Sequence, residues 1–191
     1  ENINAFNFKE FDFGYLYKKI HESKTKEIIL EEDISVEDYE IDYYEGGIEL
    51  DIDNLIIDGN GHIIDAQGKT RIFYCTGKNI TLKNLTLKNG YSHKNYDNLI
   101  NNNGGAIRIS SNVILTIKNC KFTNNASEVD GGAIQNKNSV LIITESTLQE
   151  NKAQNDGGVI YSWHGDLTIS ESTFAENSAG KDGGAIYHEG P

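Results

Sequence analysis

The motif GGAI, once varied to GGVI, opens at Gly104, Gly131, Gly157 and Gly183, in steps of 27, 26 and 26 residues. A chain that returns to one pattern at a fixed step is built from stacked copies of one unit, and this limits the possible folds more than any other feature here. Other columns keep the step: Leu115, Leu141 and Leu167, then Ile117, Ile143 and Ile169, then Phe122, Leu148 and Phe174, then Asn125, Asn151 and Asn177. Each glycine pair supplies backbone freedom at a corner. The acid or amide before it (Asn103, Asp130, Asp156 or Asp182) is placed to cap its own turn.

Within one period, GGAIQN, VLIITE and STLQEN read as three short strands with period-two alternation, separated by Gly, Asn, Asp and Lys. Leu141, Ile143 and Leu148 are the inward alternates. One coil cannot bury that face alone, whereas stacked coils can, each strand pairing with its copy about 4.8 Å away. The predicted fold is all-β: a parallel β-helix with three strands and about 26 residues per coil. A leucine-rich repeat has a similar period, and ISESTFAEN (169–177) imitates its signature. The remainder of that repeat, SAGKDGGAIYHEG, instead offers paired glycines that oppose a helix and a further strand, AIY.

Upstream the pattern degrades but persists. NITLKNLTLKNG (79–90) sets Leu82 over Ile117 and Leu87 over Phe122, and NLIIDGNGHIID (54–65) reads as the coil before. Residues 91–102 lengthen the next step and are expected to leave the solenoid as an inserted loop. Residues 1–27 are expected to form an N-terminal cap, since Phe13, Leu16 and Ile20 have amphipathic-helix spacing and an open solenoid end needs covering. Residues 28–191 then form the β-helix. The chain stops after the first strand of a coil, which predicts further coils beyond residue 191 in a longer protein.

The net charge of −12, with Arg71 and Arg108 the only arginines, excludes a nucleic-acid partner. No apolar run approaches the roughly 18–20 residues of a transmembrane helix, so no membrane insertion by this segment is expected. Met is absent, which predicts that Glu1 follows a processed signal or a cut in a longer chain. Cys75 and Cys120 lack the spacing of a zinc site or redox pair and read as free, small apolar residues. Nucleophile motifs of the G-x-S-x-G and H-E-x-x-H kinds are missing.

Asp130, Asp156 and Asp182 are expected to stack on successive coils, as are Glu145 with Glu171 and Glu150 with Glu176. Like charges about 4.8 Å apart repel by about 1 kcal/mol in water. The three aspartates either hold Ca²⁺, which would remove that repulsion, or cap their turns. The Asn125, Asn151 and Asn177 column reads as an internal amide ladder. Tyr161 and Tyr187 share a column with Arg108 and Gln135, Trp163 and His164 lie in the turn YSWHGD, and Tyr91, His93 and Tyr96 lie in the inserted loop. These seven are the candidate ligand-binding residues, since exposed aromatic rings with polar neighbours suit sugars or protein partners. Asp58, His62 and Asp65 form either a catalytic trio or a turn. Asn79, Asn84 and Asn125 begin N-x-[ST] sequons and are candidate glycosylation sites.

The GGAI and GGVI motifs at 104–107, 131–134, 157–160 and 183–186, with F-x-x-N at 122–125 and 174–177, resemble the chlamydial polymorphic outer membrane proteins. With LIIDGNGHIIDAQGKTRIFYCTGKNITLKNLTLKNG (55–90), they also resemble adhesin-like surface proteins of methanogenic archaea. Leu148 replaces Phe in the second F-x-x-N position. The resemblance implies a right-handed parallel β-helix like that of pectate lyases. It also implies a secreted, cell-surface adhesin, non-enzymatic, whose partners are glycans or proteins of other cells. A polysaccharide lyase or hydrolase of the same fold and a passive cell-wall stalk are the alternatives.

Overall fold

The repeat columns become neighbours in space. Leu115 pairs with Leu141 and Leu141 with Leu167, while Phe122 pairs with Leu148 and Leu148 with Phe174, all in parallel register. The computed structural model describes residues 10–94 and 103–190, and they form a β-solenoid of about six turns. The first six-stranded sheet runs through Glu27–Ile29, Ile56–Asp58, Ile80–Lys83, Ile114–Lys118, Val140–Thr144 and Asp166–Ser170. The second runs through Ile34–Ser35, Ile63–Asp65, Thr86–Lys88, Lys121–Thr123, Thr147–Gln149 and Thr173–Ala175. The third runs through Ile48–Leu50, Phe73–Cys75, Ile107–Ile109, Ile134–Lys137, Ile160–Trp163 and Ile186–Glu189. A fourth, narrow sheet of four two-residue strands joins Tyr91–Ser92, Ala126–Ser127, Lys152–Ala153 and Ser178–Ala179. Tyr91 and Ser92 therefore belong to the solenoid wall and not to a loop that leaves it.

The two glycines of each motif do different jobs. Gly104, Gly131, Gly157 and Gly183 have φ of 75°, 63°, 65° and 62°. A Cβ on any of them would strike the carbonyl oxygen three residues on. Gly105, Gly132 and Gly158 instead face the next coil, where a Cβ would meet the backbone of Gly132, Gly158 and Gly184. The remaining corners place side-chain residues in the left-handed region, with φ between 49° and 65°. Asn54 and Asn79 share one column, and Asn112, Asn138 and His164 share another; a third is Asn84, Asn119, Glu145 and Glu171, and a fourth is Asn89, Asn124, Glu150 and Glu176. Asn tolerates this conformation because its short amide bonds locally. Here the amides also bond across coils, Asn119 Nδ2 to Asn84 Oδ1 at 2.8 Å and Asn124 Nδ2 to Asn89 Oδ1 at 2.6 Å.

The interior is largely aliphatic, with Leu82, Leu115, Ile117, Leu141 and Ile143 fully buried beside Phe73 and Phe122. Among its buried polar groups is the predicted amide ladder. The Asn125 backbone and side-chain amides both donate to Asn151 Oδ1, at 3.1 and 3.0 Å. Those of Asn151 donate to Asn177 Oδ1 at 2.9 and 3.1 Å. At the other end, helix α1 (Phe13–His21) seats Phe13, Leu16 and Ile20 in the core. Its first turn is tied down by Glu40, whose buried carboxylate accepts from the Gly14, Phe13 and Glu37 amides at 2.6, 3.2 and 3.0 Å. The buried Arg71 joins three segments, donating to the carbonyls of Gly46, Asn103 and Gly104 and to Ser92 Oγ.

Candidate binding face

On the third sheet the alternates between buried positions form one in-register row: Glu49, Tyr74, Arg108, Gln135, Tyr161 and Tyr187. The Tyr161 and Tyr187 rings stack with centroids 5.4 Å apart and planes 7° from parallel. The Arg108 guanidinium lies 5.0 Å from the centre of the Tyr74 ring, a cation–π contact. Two residues along each strand, Lys137, Trp163 and Glu189 make a second row, with Lys137 Nζ 4.7 Å over the indole. Trp163 therefore ends a strand, and it is His164 that occupies the turn, exposed, with its ring 4.5 Å from the indole. Between Arg108 and Tyr161, the buried Gln135 Oε1 has no hydrogen-bond partner among the described residues.

The aspartate column borders this row but does not cap its own turns. Asp130 Oδ1 accepts from the Asp156 amide at 3.2 Å, and Asp156 Oδ1 accepts from the Asp182 amide at 2.9 Å. Asn103 Oδ1 plays the same part toward Asp130. Burial pushes the Asp130 carboxyl up, and the Asp156 charge adds to it. Burial and then the Asp130 charge push the Tyr161 phenol up, while Glu189 is the main cause for Tyr187. Acids and phenols thus form one electrostatic unit. Among the described residues, no three His, Cys, Asp or Glu side chains gather as a set that could hold a metal ion.

Tyr91 and His93 sit apart from that face, at the narrow sheet. The Tyr91 hydroxyl donates to Glu128 Oε1 at 2.7 Å, the Lys94 amide donates to Glu128 Oε2 at 2.5 Å, and the Tyr91 and His93 rings meet edge to face at 4.5 Å. Tyr96 lies outside the described residues. The predicted aromatic set therefore divides into Tyr161, Trp163, His164 and Tyr187 on one side and Tyr91 with His93 on another. Tyr74, Arg108 and Lys137 complete the larger group.

A family model for a pectate lyase-like adhesive domain matches residues 12–129, more than half of the chain. The chain belongs to the pectate lyase-like adhesive domain family. Repeats of the Chlamydia polymorphic membrane protein type match residues 145–162 and 171–189, the coils that carry Tyr161 and Tyr187. No curated protein and no solved structure matches the chain.

In this adhesive domain the acids of the possible catalytic trio are occupied with structure. Asp58 Oδ1 accepts from the Asn60 amide and Asn84 Nδ2, at 2.9 and 3.0 Å, and Asp65 Oδ1 from the Gln67 amide and Asn89 Nδ2, at 2.7 and 2.8 Å. His62 turns to Asp33 at 3.1 Å and to neither of them. Of the sequon residues, Asn125 is fully buried in the amide ladder, which leaves no room for a glycan and withdraws it as an acceptor. Asn79 and Asn84 stand at left-handed corners, bonded to Asn54 and Asp58 on the preceding coil. Among the described residues no helix is long and apolar enough to cross a membrane.

Proposed function

We propose that this domain is the binding part of a secreted, cell-surface adhesin that holds its owner to glycans or proteins displayed by other cells. The observation that carries the reading is the aromatic and hydrogen-bonding row of the third sheet. Five coil steps of about 4.8 Å make it a track of about 24 Å. Its side chains stand on paired strands, and the Tyr161–Tyr187 and Tyr74–Arg108 pairs are already in contact, so those side chains have less rotamer freedom to lose on binding. The stacked tyrosines offer ring edges and hydroxyls, and Arg108 and Lys137 offer donors. An extended saccharide is the partner best matched to a straight polar-aromatic track. The family's adhesive label agrees with this reading. A cleaving enzyme has less support, because Asp58 and Asp65 are committed to turns and His62 pairs with neither.

The test is to incubate the purified domain, with and without Ca²⁺, with a panel of cell-surface and plant polysaccharides, reading retention and polymer length. Retention at unchanged length, weakened at least about tenfold by Tyr161→Ala combined with Tyr187→Ala, is the expected result. Shortened polymer would favour a lyase or hydrolase. If no polymer is retained, binding to whole cells separates a protein-directed adhesin from a passive stalk, and failure there sinks the proposal.

A further inference from the structure

The cap end of the solenoid carries a second aromatic site, built from different residues and independent of the reading above. Between α1 and residues 37–44 lies a hollow of about 660 Å³ walled by Tyr15, Tyr17, Tyr39, Tyr43 and Tyr44. Tyr17, Tyr39 and Tyr43 are 41%, 45% and 84% exposed, whereas the core aromatics Phe13, Phe73 and Phe122 are fully buried. Rings left in water around one concavity do no core packing. Tyr17 and Tyr44 stand with centroids 6.2 Å apart and planes tilted by 48°, so two ring faces converge at an angle.

The charge lining the hollow is mostly negative. Glu10, Asp12 and Glu40 line it, against Lys18 as the one cationic lining residue among those described. Two of these acids, Asp12 and Glu40, are already engaged in hydrogen bonds. Asp12 already accepts from the Tyr15 amide at 2.7 Å and from the Tyr39 hydroxyl at 2.5 Å. Glu40 accepts from three backbone amides. Their acceptor capacity is largely spent inside the protein, while their negative charge still acts on the hollow.

That combination selects a ligand. A sugar or a primary amine brings O–H or N–H donors that need free acceptors, and the Asp12 and Glu40 carboxylates are already engaged. A quaternary ammonium group brings charge and methyl surface with no donor to satisfy, and aromatic walls with a nearby negative potential attract it. We propose that the tyrosine-walled hollow beneath α1 binds an organic cation of the quaternary ammonium class.

The test uses the full chain and three small probes: tetramethylammonium, choline and the neutral isostere 3,3-dimethylbutan-1-ol. Calorimetric titration is expected to give saturable binding of both cations in the millimolar range or tighter, about tenfold weaker for the isostere. The methyl protons of bound choline should shift upfield in the NMR spectrum from the ring currents. Tyr43→Ala removes the most exposed ring and should weaken choline about tenfold with an unchanged melting temperature, whereas Tyr187→Ala on the far coil should leave it unchanged. The Tyr187 control also separates this site from the row, whose failure to bind polysaccharide would not touch it. No saturable cation binding, equal affinity for the isostere, or choline affinity that survives Tyr43→Ala would each overturn the proposal. The probe comparisons on the unaltered chain stand even if the variant misfolds.

Discussion

Gly132 lies so close to Gly158, one coil away, that a Cβ on the first would strike the carbonyl oxygen of the second. Gly184 is the same motif position on the last coil described, and there a Cβ would meet nothing within 4 Å. Gly132→Ala is therefore expected to cost about 1–3 kcal/mol or more, as overpacking does. Gly184→Ala should stay within about 0.5 kcal/mol of the unaltered protein. Chemical denaturation of the pair checks this, and equal losses would show that the motif serves its own turn and not the stacking.

Asn151 is the middle of the buried ladder. Asn151→Leu preserves bulk but strands the Asn125 backbone amide, which donates to Asn151 Oδ1 at 3.1 Å, and the Phe122 carbonyl, which now accepts from Asn151 at 3.1 Å. At about 1–3 kcal/mol for each unsatisfied buried group, the loss should exceed about 2 kcal/mol. Asn177→Leu should cost less, because its environment is only partly buried and water can replace the lost bonds. Hydrogen exchange of the central coils would register the difference.

The Tyr91–Glu128 contact gives a pH signature. The Lys94 amide and then the Tyr91 hydroxyl hold the Glu128 carboxyl below its ordinary value, and the bond to Glu128 is the main cause raising the Tyr91 phenol. A depressed carboxyl contributes above its unfolded pKa and loses that contribution as pH falls through the folded one. The contact should thus be intact at neutral pH and release in acid. In Glu128→Gln, the Tyr91 phenol should titrate nearer its ordinary value, as followed by carbon NMR of labelled tyrosine. An unmoved Tyr91 would refute the coupling.

Both thiols should be inert in the folded protein. Cys75 is fully buried and burial pushes its thiol up, and burial pushes that of Cys120 up to about 12. Reactivity follows the thiolate. Iodoacetamide at pH 8 should label neither cysteine natively and both in denaturant; native labelling would contradict the packing of the first coils.

The solenoid was legible because its signal is aliphatic and periodic: Leu141 and Ile143 recur at the coil step, and Phe13, Leu16 and Ile20 have helical spacing. The narrow fourth sheet was not, since a two-residue strand such as Ala126–Ser127 carries no alternation. Asp130 was recognisable as a polar corner residue, but which amide it meets depends on stacking, which places that of Asp156 closer than its own turn. Tyr74 escaped the row because the longer step to Arg108 hides the register until Phe73 is seen beside Ile107. Glu40 was invisible for another reason. In EDYEIDYYE it looks like one more solvated acid, and only the docking of α1 reveals it as the receiver of three amides.

Parallel in-register stacking has a consequence for how such a surface can change. Each coil contributes one side chain to the row from Glu49 to Tyr187, and each of those side chains projects from backbone whose hydrogen bonds do not involve it. Nearest-neighbour contacts dominate in a stack of this kind. The face therefore behaves as a line of type, in which one character can be reset while the ruled spacing of the page stays where it was.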